Sequence, residues 1–251
     1  MKLSNLVLVF GILITAFSLE WGMKNQLLQK ASYTRFTYNQ LADHALEDGL
    51  DAGTANDSSS FPYVDEQKAV QAFRESLLKG FGLTEDSLEG QRLLSCIACV
   101  VIMQNQYFSV ITEEGTVHYP YRASRGTWNI DFNMDGTCVC ENQEKQERYE
   151  GSEEEIKELF SHFNQNSSEY TFPCRNQVVT ECIEEKIKET IQNKYHNQYA
   201  FQIDFPDMEE EACHTLQGIG MLGFMQYQQY EINGYTCSRF SLSGARLVYT
   251  D

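Results

Sequence analysis

TWNIDFNMDGTCVCE, residues 127–141, is the stretch on which the fold turns. Trp128, Ile130, Phe132 and Met134 alternate with Asn129, Asp131, Asn133 and Asp135. A period of two puts successive side chains on opposite faces of an extended chain, so the pattern predicts a half-buried strand. Asp135-Gly136 is the dipeptide that type I′ turns favour, and residues 137–140 then return as the partner strand. The same letters open an Asp131-x-Asn133-x-Asp135-Gly136 calcium loop. That loop requires a Glu at its twelfth position, where Asn142 stands, and two flanking helices. An antiparallel hairpin is therefore the expectation.

Working outward, residues 93–101 are almost wholly apolar. With 107–111 and 117–121, joined through Glu113-Glu114-Gly115, they predict the centre of a sheet. Before them Asp65 opens a helix with Ala69, Ala72, Phe73, Ser76 and Leu77 on one face, stopped by Gly80 and Gly82. After them Ser152 and Glu155 form a capping box ahead of Ile156, Leu159, Phe160 and Phe163. Val179, Ile183, Ile187, Ile191 and Tyr195 recur every four residues and predict a helix over 176–197, with Glu184, Glu185, Lys188 and Glu189 on its wet face. Residues 199–205 alternate as a strand up to Pro206, and Asp207 caps a further helix through Cys213 and Leu216.

Gly218, Gly220 and Gly223 have the spacing of a dinucleotide loop. Pro206 and a helix precede them, where that loop needs a buried strand, so tight packing or the start of a strand is expected. Residues 235–249 read as two strand-like runs about Ser243-Gly244. The sum is an α+β class: a long N-terminal membrane-anchored helix, then one mixed domain with an antiparallel sheet and packed helices.

The N-terminus carries the other strong signal. From Leu3 to Trp21 the only ionisable side chain is Glu20, and those positions rise roughly 28 Å as a helix, close to the bilayer's hydrocarbon core. A cleaved signal peptide, with Met1-Lys2 as its basic start and Ala16-Phe17-Ser18 as its cleavage site, is the competing reading. Retention is favoured because helical spacing continues through Leu27, Leu28, Ala31, Tyr38, Leu41, Ala42, Ala45 and Leu46 to Gly49 and Gly53. The chain thus divides into a transmembrane anchor (1–21), an amphipathic stalk helix (22–50), a small, polar linker (51–63) and an extracytoplasmic α+β domain (64–251). Residues 27–46 read equally well as the first helix of that domain.

Acidic residues outnumber basic ones 36 to 19, a net charge of −17, with no basic cluster. Nucleic-acid partners are excluded on that ground, since they demand Lys and Arg against phosphate. The expected partners are the membrane and proteins that meet the N-terminal helix. Lys24, Lys30 and Arg35 after the anchor favour an outside N-terminus by local charge. Against this stand the size of the domain and eight cysteines, Cys96, Cys99, Cys138, Cys140, Cys174, Cys182, Cys213 and Cys237, which suit an oxidising exterior and are candidate disulfide partners. About 105 pairings are open. A domain outside the cytoplasm, on a single-pass protein of the cell membrane, is the expectation.

No catalytic residue, cofactor or resident metal is predicted. Cys96-x-x-Cys99 has redox spacing, and with Cys138 and Cys140 it offers a four-thiolate zinc site as the alternative. Both pairs lie in apolar strand-like sequence, which favours disulfides or buried thiols. The five histidines show no ligand spacing, and no G-x-S-x-G is present.

The short anchor running into an amphipathic helix, the segment Ala69-Val70-Gln71-Ala72-Phe73-Arg74-Glu75-Ser76-Leu77, a Phe224-Met225-Gln226 turn and the ending Ser241-Leu242-Ser243-Gly244-Ala245-Arg246-Leu247 carry a resemblance. In these the chain resembles Firmicutes single-pass membrane proteins encoded beside Tad-type pilus and type II secretion-like machinery. The resemblance implies an accessory or pseudopilin-like role and assigns no catalytic residue. Where prepilins carry a Gly with a Glu five residues into the apolar run, this chain has Glu20 at the far end. An extracytoplasmic thiol-disulfide protein and a sensor or ligand-binding domain are the alternatives.

Overall fold

The computed structural model describes residues 37–55, 62–163, 171–194, 218–232 and 235–246. By contact the chain divides into Met1–Leu41 and Ala42–Asp251. In the first unit only residues 37–41, which are helical, are described; the anchor and most of the stalk lie outside the described residues. So do the strand at 199–205 and the helix after Pro206.

In the second unit, helix α1 (residues 42–53 there) leads into a two-residue strand β1 (Thr54–Ala55), which pairs antiparallel with β2 (Tyr63–Val64). Helix α2 (Glu66–Gly80) follows, then α3 (Leu88–Ser95). Among the described residues eight strands then build one antiparallel sheet: β3 (Ile97–Met103), β4 (Tyr107–Thr112), β5 (Gly115–Arg125), β6 (Trp128–Phe132), β7 (Thr137–Asn142), β8 (Glu147–Ser152), β9 (Gly220–Ile232) and β10 (Tyr235–Arg246). Their order is β10-β9-β3-β4-β5-β6-β7-β8. Helices α4 (Glu153–Phe163) and α5 (Arg175–Lys194) lie between β8 and β9 in sequence. The mixed α+β class with an antiparallel sheet holds.

Strand β3 is buried at all seven positions, which is why its sequence is a continuous apolar run: helices cover both of its faces. Val100 and Ile102 face α1 and α2, among Leu46, Leu50, Phe73 and Leu77. Cys99, Val101 and Met103 face α5, among Val179, Ile183 and Ile187. Toward β8, among the described residues, only the α4–α5 side is covered, and β6 and β7 bury every second residue. Their open face is a polar ladder, with Arg122 opposite Asp131, Ser124 opposite Asn129 and Arg148 opposite Glu141.

The 127–141 hairpin forms with Trp128 opposite Asn142 and Phe132 opposite Cys138. Its turn differs from the expected type I′. Asn133 N donates to Thr137 O at 2.9 Å and Gly136 N to Asn133 O at 3.2 Å, leaving Met134-Asp135-Gly136 as a three-residue loop. Gly136 has φ of 86°, the left-handed residue such a loop needs. Asn105 decides this: its carbonyl accepts from Met134 N and its side chain brackets Asp135, holding the loop against the β3–β4 turn.

The capping box is made in both directions, Ser152 N donating to Glu155 Oε2 at 2.9 Å and Glu155 N to Ser152 Oγ at 3.3 Å. Asp65 caps α2 as expected, accepting from Lys68 N at 3.1 Å. Several expectations are corrected. Residues 93–95 end α3 rather than begin a strand. Phe224-Met225-Gln226 is no turn but lies within β9, and Ser243-Gly244 lies within β10, which pairs with β9 on both sides of a register shift at Arg239/Phe240. Leu159 is 37% exposed, so α4 buries only Ile156 and Phe160 among its described side chains.

Gly49 and Gly53 lie inside or at the last residue of α1 and serve packing. A Cβ on Gly49 would meet Ala69 O at 2.7 Å and Phe73 Cβ at 2.9 Å; one on Gly53 would meet Ala69 Cβ at 2.7 Å. Helix α1 therefore continues through residues 51–53 of the expected linker. From Ala42 on it belongs to the core of the second unit, within the stretch read as stalk.

Candidate functional site

Helix α2 and the β4–β5 hairpin enclose a groove with a volume of ≈ 690 Å³. Residues spaced by three and four on α2, from Glu66 through Val70 and Arg74 to Leu78, form one wall. Ile111, Glu113, Thr116 and His118 form the other, and Glu85 closes one rim.

At the head of the groove Glu66 is held from two sides. Ser109 Oγ donates to Glu66 Oε1 at 2.5 Å, and His118 Nε2 lies 3.3 Å from Glu66 Oε2. Ser109 is fully buried, the Glu66 side chain is 16% exposed and that of His118 is 54% exposed. The Tyr107 ring meets the imidazole edge-on, with centroids 5.0 Å apart. Burial, then the Glu66 charge and the neighbouring Tyr63, push the Tyr107 hydroxyl above its ordinary pKa.

This geometry does not build a serine nucleophile. Ser109 is sealed from solvent and its proton is committed to a carboxylate, whereas acyl transfer needs an exposed hydroxyl beside a base. The arrangement instead fixes one carboxylate and a half-exposed imidazole at the end of a groove. Farther along, the half-buried Arg74 makes no hydrogen bond or ion pair among the described residues. Val70, Leu78 and Ile111 give the groove an aliphatic floor.

On the other sheet face a smaller groove of ≈ 320 Å³ lies between the same hairpin and the end of α5, lined by Tyr119, Thr190 and Lys194 among others. Lys194 Nζ donates to Ile97 O at 3.0 Å, and Lys186 stands 5.2 Å from the Tyr119 ring centroid.

The predicted cysteine sites fare differently. The six described cysteines, Cys96, Cys99, Cys138, Cys140, Cys174 and Cys182, are thiols. Cys213 lies outside the described residues, as does the side chain of Cys237 on β10. Cys99 and the Cys138/Cys140 pair sit on strands four positions apart, about 19 Å along the sheet at roughly 4.8 Å per strand, far beyond a shared tetrahedral zinc.

Cys96 caps the C-terminus of α3, its Sγ 3.2 Å from Arg92 O, rather than opening a helix as a redox thiol does. Burial pushes Cys99 up to about 12 against the opposing pull of Lys194, Cys138 to about 12 and Cys140 to about 11. Such thiols behave as small apolar core residues. Among the described residues no group of three or more His, Cys, Asp or Glu is placed to hold a metal ion. Asp131, the first residue of the calcium-like spacing, is engaged by Arg122 through two hydrogen bonds of 2.6 Å.

Sequence reading missed the groove. Glu66, Ser109 and His118 come from three elements and are 43 and 52 residues apart, with no motif to join them. The one local hint is Ser109, a hydroxyl in the middle of the apolar strand Tyr107–Thr112. No family model matches the chain, and no curated protein or solved structure matches it either. Among the described residues no helix is long and apolar enough to cross a membrane.

Proposed function

We propose that this protein is a membrane-anchored, non-enzymatic accessory component, pilin-like in layout, of a bacterial surface pilus or secretion assembly, with its α+β domain outside the cytoplasm. The observation that carries this reading is the helix that comes after the apolar N-terminal sequence. Its Ala42, Ala45, Leu46 and Leu50 are at most 1% exposed, built into the domain core. In this reading residues 42–50 belong to the domain, and the apolar sequence of residues 3–19 supplies the anchor. The test is fractionation of cells making the full chain, with protease added to intact spheroplasts. The expected result is carbonate-resistant membrane association and digestion of the domain from outside. Release into the soluble fraction, or protection of the domain, overturns it.

A second reading, a ligand-binding or sensor domain, is favoured by the groove between α2 and the β4–β5 hairpin. The groove is concave and lined mainly by polar and charged side chains around Val70, Leu78 and Ile111, with Glu66 fixed at its head by Ser109 and His118, a make-up that suits a polar small ligand. The two readings are compatible, since an anchored subunit can carry a binding face. The raised thiols of Cys99, Cys138 and Cys140 argue against the thiol-disulfide alternative.

A further inference from the structure

We infer that the groove between α2 and the β4–β5 hairpin binds a short zwitterionic peptide in extended form, its ammonium at Glu66 and its carboxylate at Arg74. The inference rests on the ligand-binding reading and names the ligand's chemistry. Charge sets the two ends. Glu66 is a carboxylate five-sixths buried and fixed by Ser109 and His118, so it offers a preorganised acceptor for an ammonium. Arg74 is half-buried in the same wall with its guanidinium unpaired among the described residues. Neighbouring Glu75 accepts from Gln71 at 2.9 Å and does not pair with it. An unpaired guanidinium beside aliphatic surface is a ready bidentate site for a carboxylate.

Spacing sets the length. Glu66 and Arg74 are eight residues apart on one helix, about 12 Å along its axis. An extended chain covers roughly 3.4 Å per residue, so the two ends of the site match the termini of a tri- or tetrapeptide. A single amino acid is too short to reach both. Between them Val70 and Ile111 supply apolar surface for aliphatic side chains. Glu85 and Glu113 on the rims disfavour a ligand that is only anionic, and Arg74 in the wall disfavours one that is only cationic.

The test is calorimetric titration of the full chain with the peptide Ala-Val-Val-Ala, its C-terminal amide, its N-acetyl form and free valine. Far-UV circular dichroism checks that each variant folds. The expected result is binding of the unmodified peptide, with a loss of about tenfold or more on blocking either end, the usual weight of a charge-assisted hydrogen bond. Free valine binds more weakly still. In Arg74→Gln the penalty for amidation disappears while that for acetylation stays; in Glu66→Gln the reverse holds. Equal binding of the blocked peptides, or an unchanged pattern in both variants, overturns the inference. To separate its failure from that of the ligand-binding reading, the same protein is titrated with spermidine, glutarate and a neutral glycol. A non-peptide that binds, and loses affinity in Arg74→Gln or Glu66→Gln, sinks the peptide but keeps a ligand site; silence across the panel sinks both.

Discussion

Gln104 pairs with the backbone of Val64 as a strand would: Val64 N donates to Gln104 Oε1 at 3.1 Å, and Gln104 Nε2 donates to Val64 O at 2.7 Å. Both residues are buried, 2% and 0% exposed. One side-chain amide at the end of β3 thus satisfies the short strand that leads into α2 and keeps that helix over the sheet. Gln104→Leu removes both partners and strands a buried N–H and C=O, each costing about 1–3 kcal/mol. Urea denaturation is expected to show a loss of about 2–4 kcal/mol. A loss below about 0.5 kcal/mol means water reaches Val64 and the clamp is not needed.

Gly49→Ala tests the close approach of α1 to α2. The added methyl meets Ala69 O and the Phe73 side chain inside normal contact, and overpacking of this kind costs about 1–3 kcal/mol. Alanine is otherwise the better helix former by about 1 kcal/mol, so the sign of the change is informative. A lower melting temperature supports the packing role. A higher one shows that α1 can shift away from α2.

Asp135 links stability to pH. Burial works against its charge, but hydrogen bonds from Thr137 and Asn105 and the Arg175 charge hold its carboxyl below the ordinary carboxylate value. With the folded value depressed, its contribution is complete above the unfolded value of about 3.9 and is lost as pH falls through the folded value. Asp135→Asn is therefore expected to be less stable than the parent at pH 6, with the gap closing as pH approaches 3. A gap that stays constant in that range refutes a role for the charge.

Native-state alkylation followed by mass measurement reads the thiols. At pH 8 a thiol raised to about 12 is thiolate roughly once in ten thousand molecules, and burial blocks the reagent as well. The exposed Cys174 is expected to react within minutes, and Cys99, Cys138 and Cys140 only on unfolding. Unfolding without reductant should make all six described cysteines reactive. Protection that survives unfolding would reveal disulfides instead.

Local pattern made much of the fold legible. The alternation at 128–134, the every-fourth isoleucines at 183, 187 and 191, Asp65 ahead of α2 and the Ser152/Glu155 box each mark a structure whose stabilising contacts lie within a few residues or repeat with the helix or strand period. Strand β8 was missed for the opposite reason. ERYEGS is a charged edge strand with no fully buried position, and only its pairing with β7 makes it extended. The groove was illegible too, because Glu66, Ser109 and His118 meet only once α2 lies across β4 and β5.

The amino-acid sequence by itself determined the class of the protein, most of its helices and strands, its acidic surface and the apolar stretch before the domain. All of these follow from side chains near one another along the chain. Tertiary structure alone decided that Gly49 and Gly53 serve packing rather than helix termination, that Cys99 and Cys138 belong to distant strands, and that Arg74, unpaired among the described residues, stands beside a carboxylate-headed groove. Those properties depend on the order of strands in the sheet and on which helix covers which face. Long-range burial sets that order, and no local period records it.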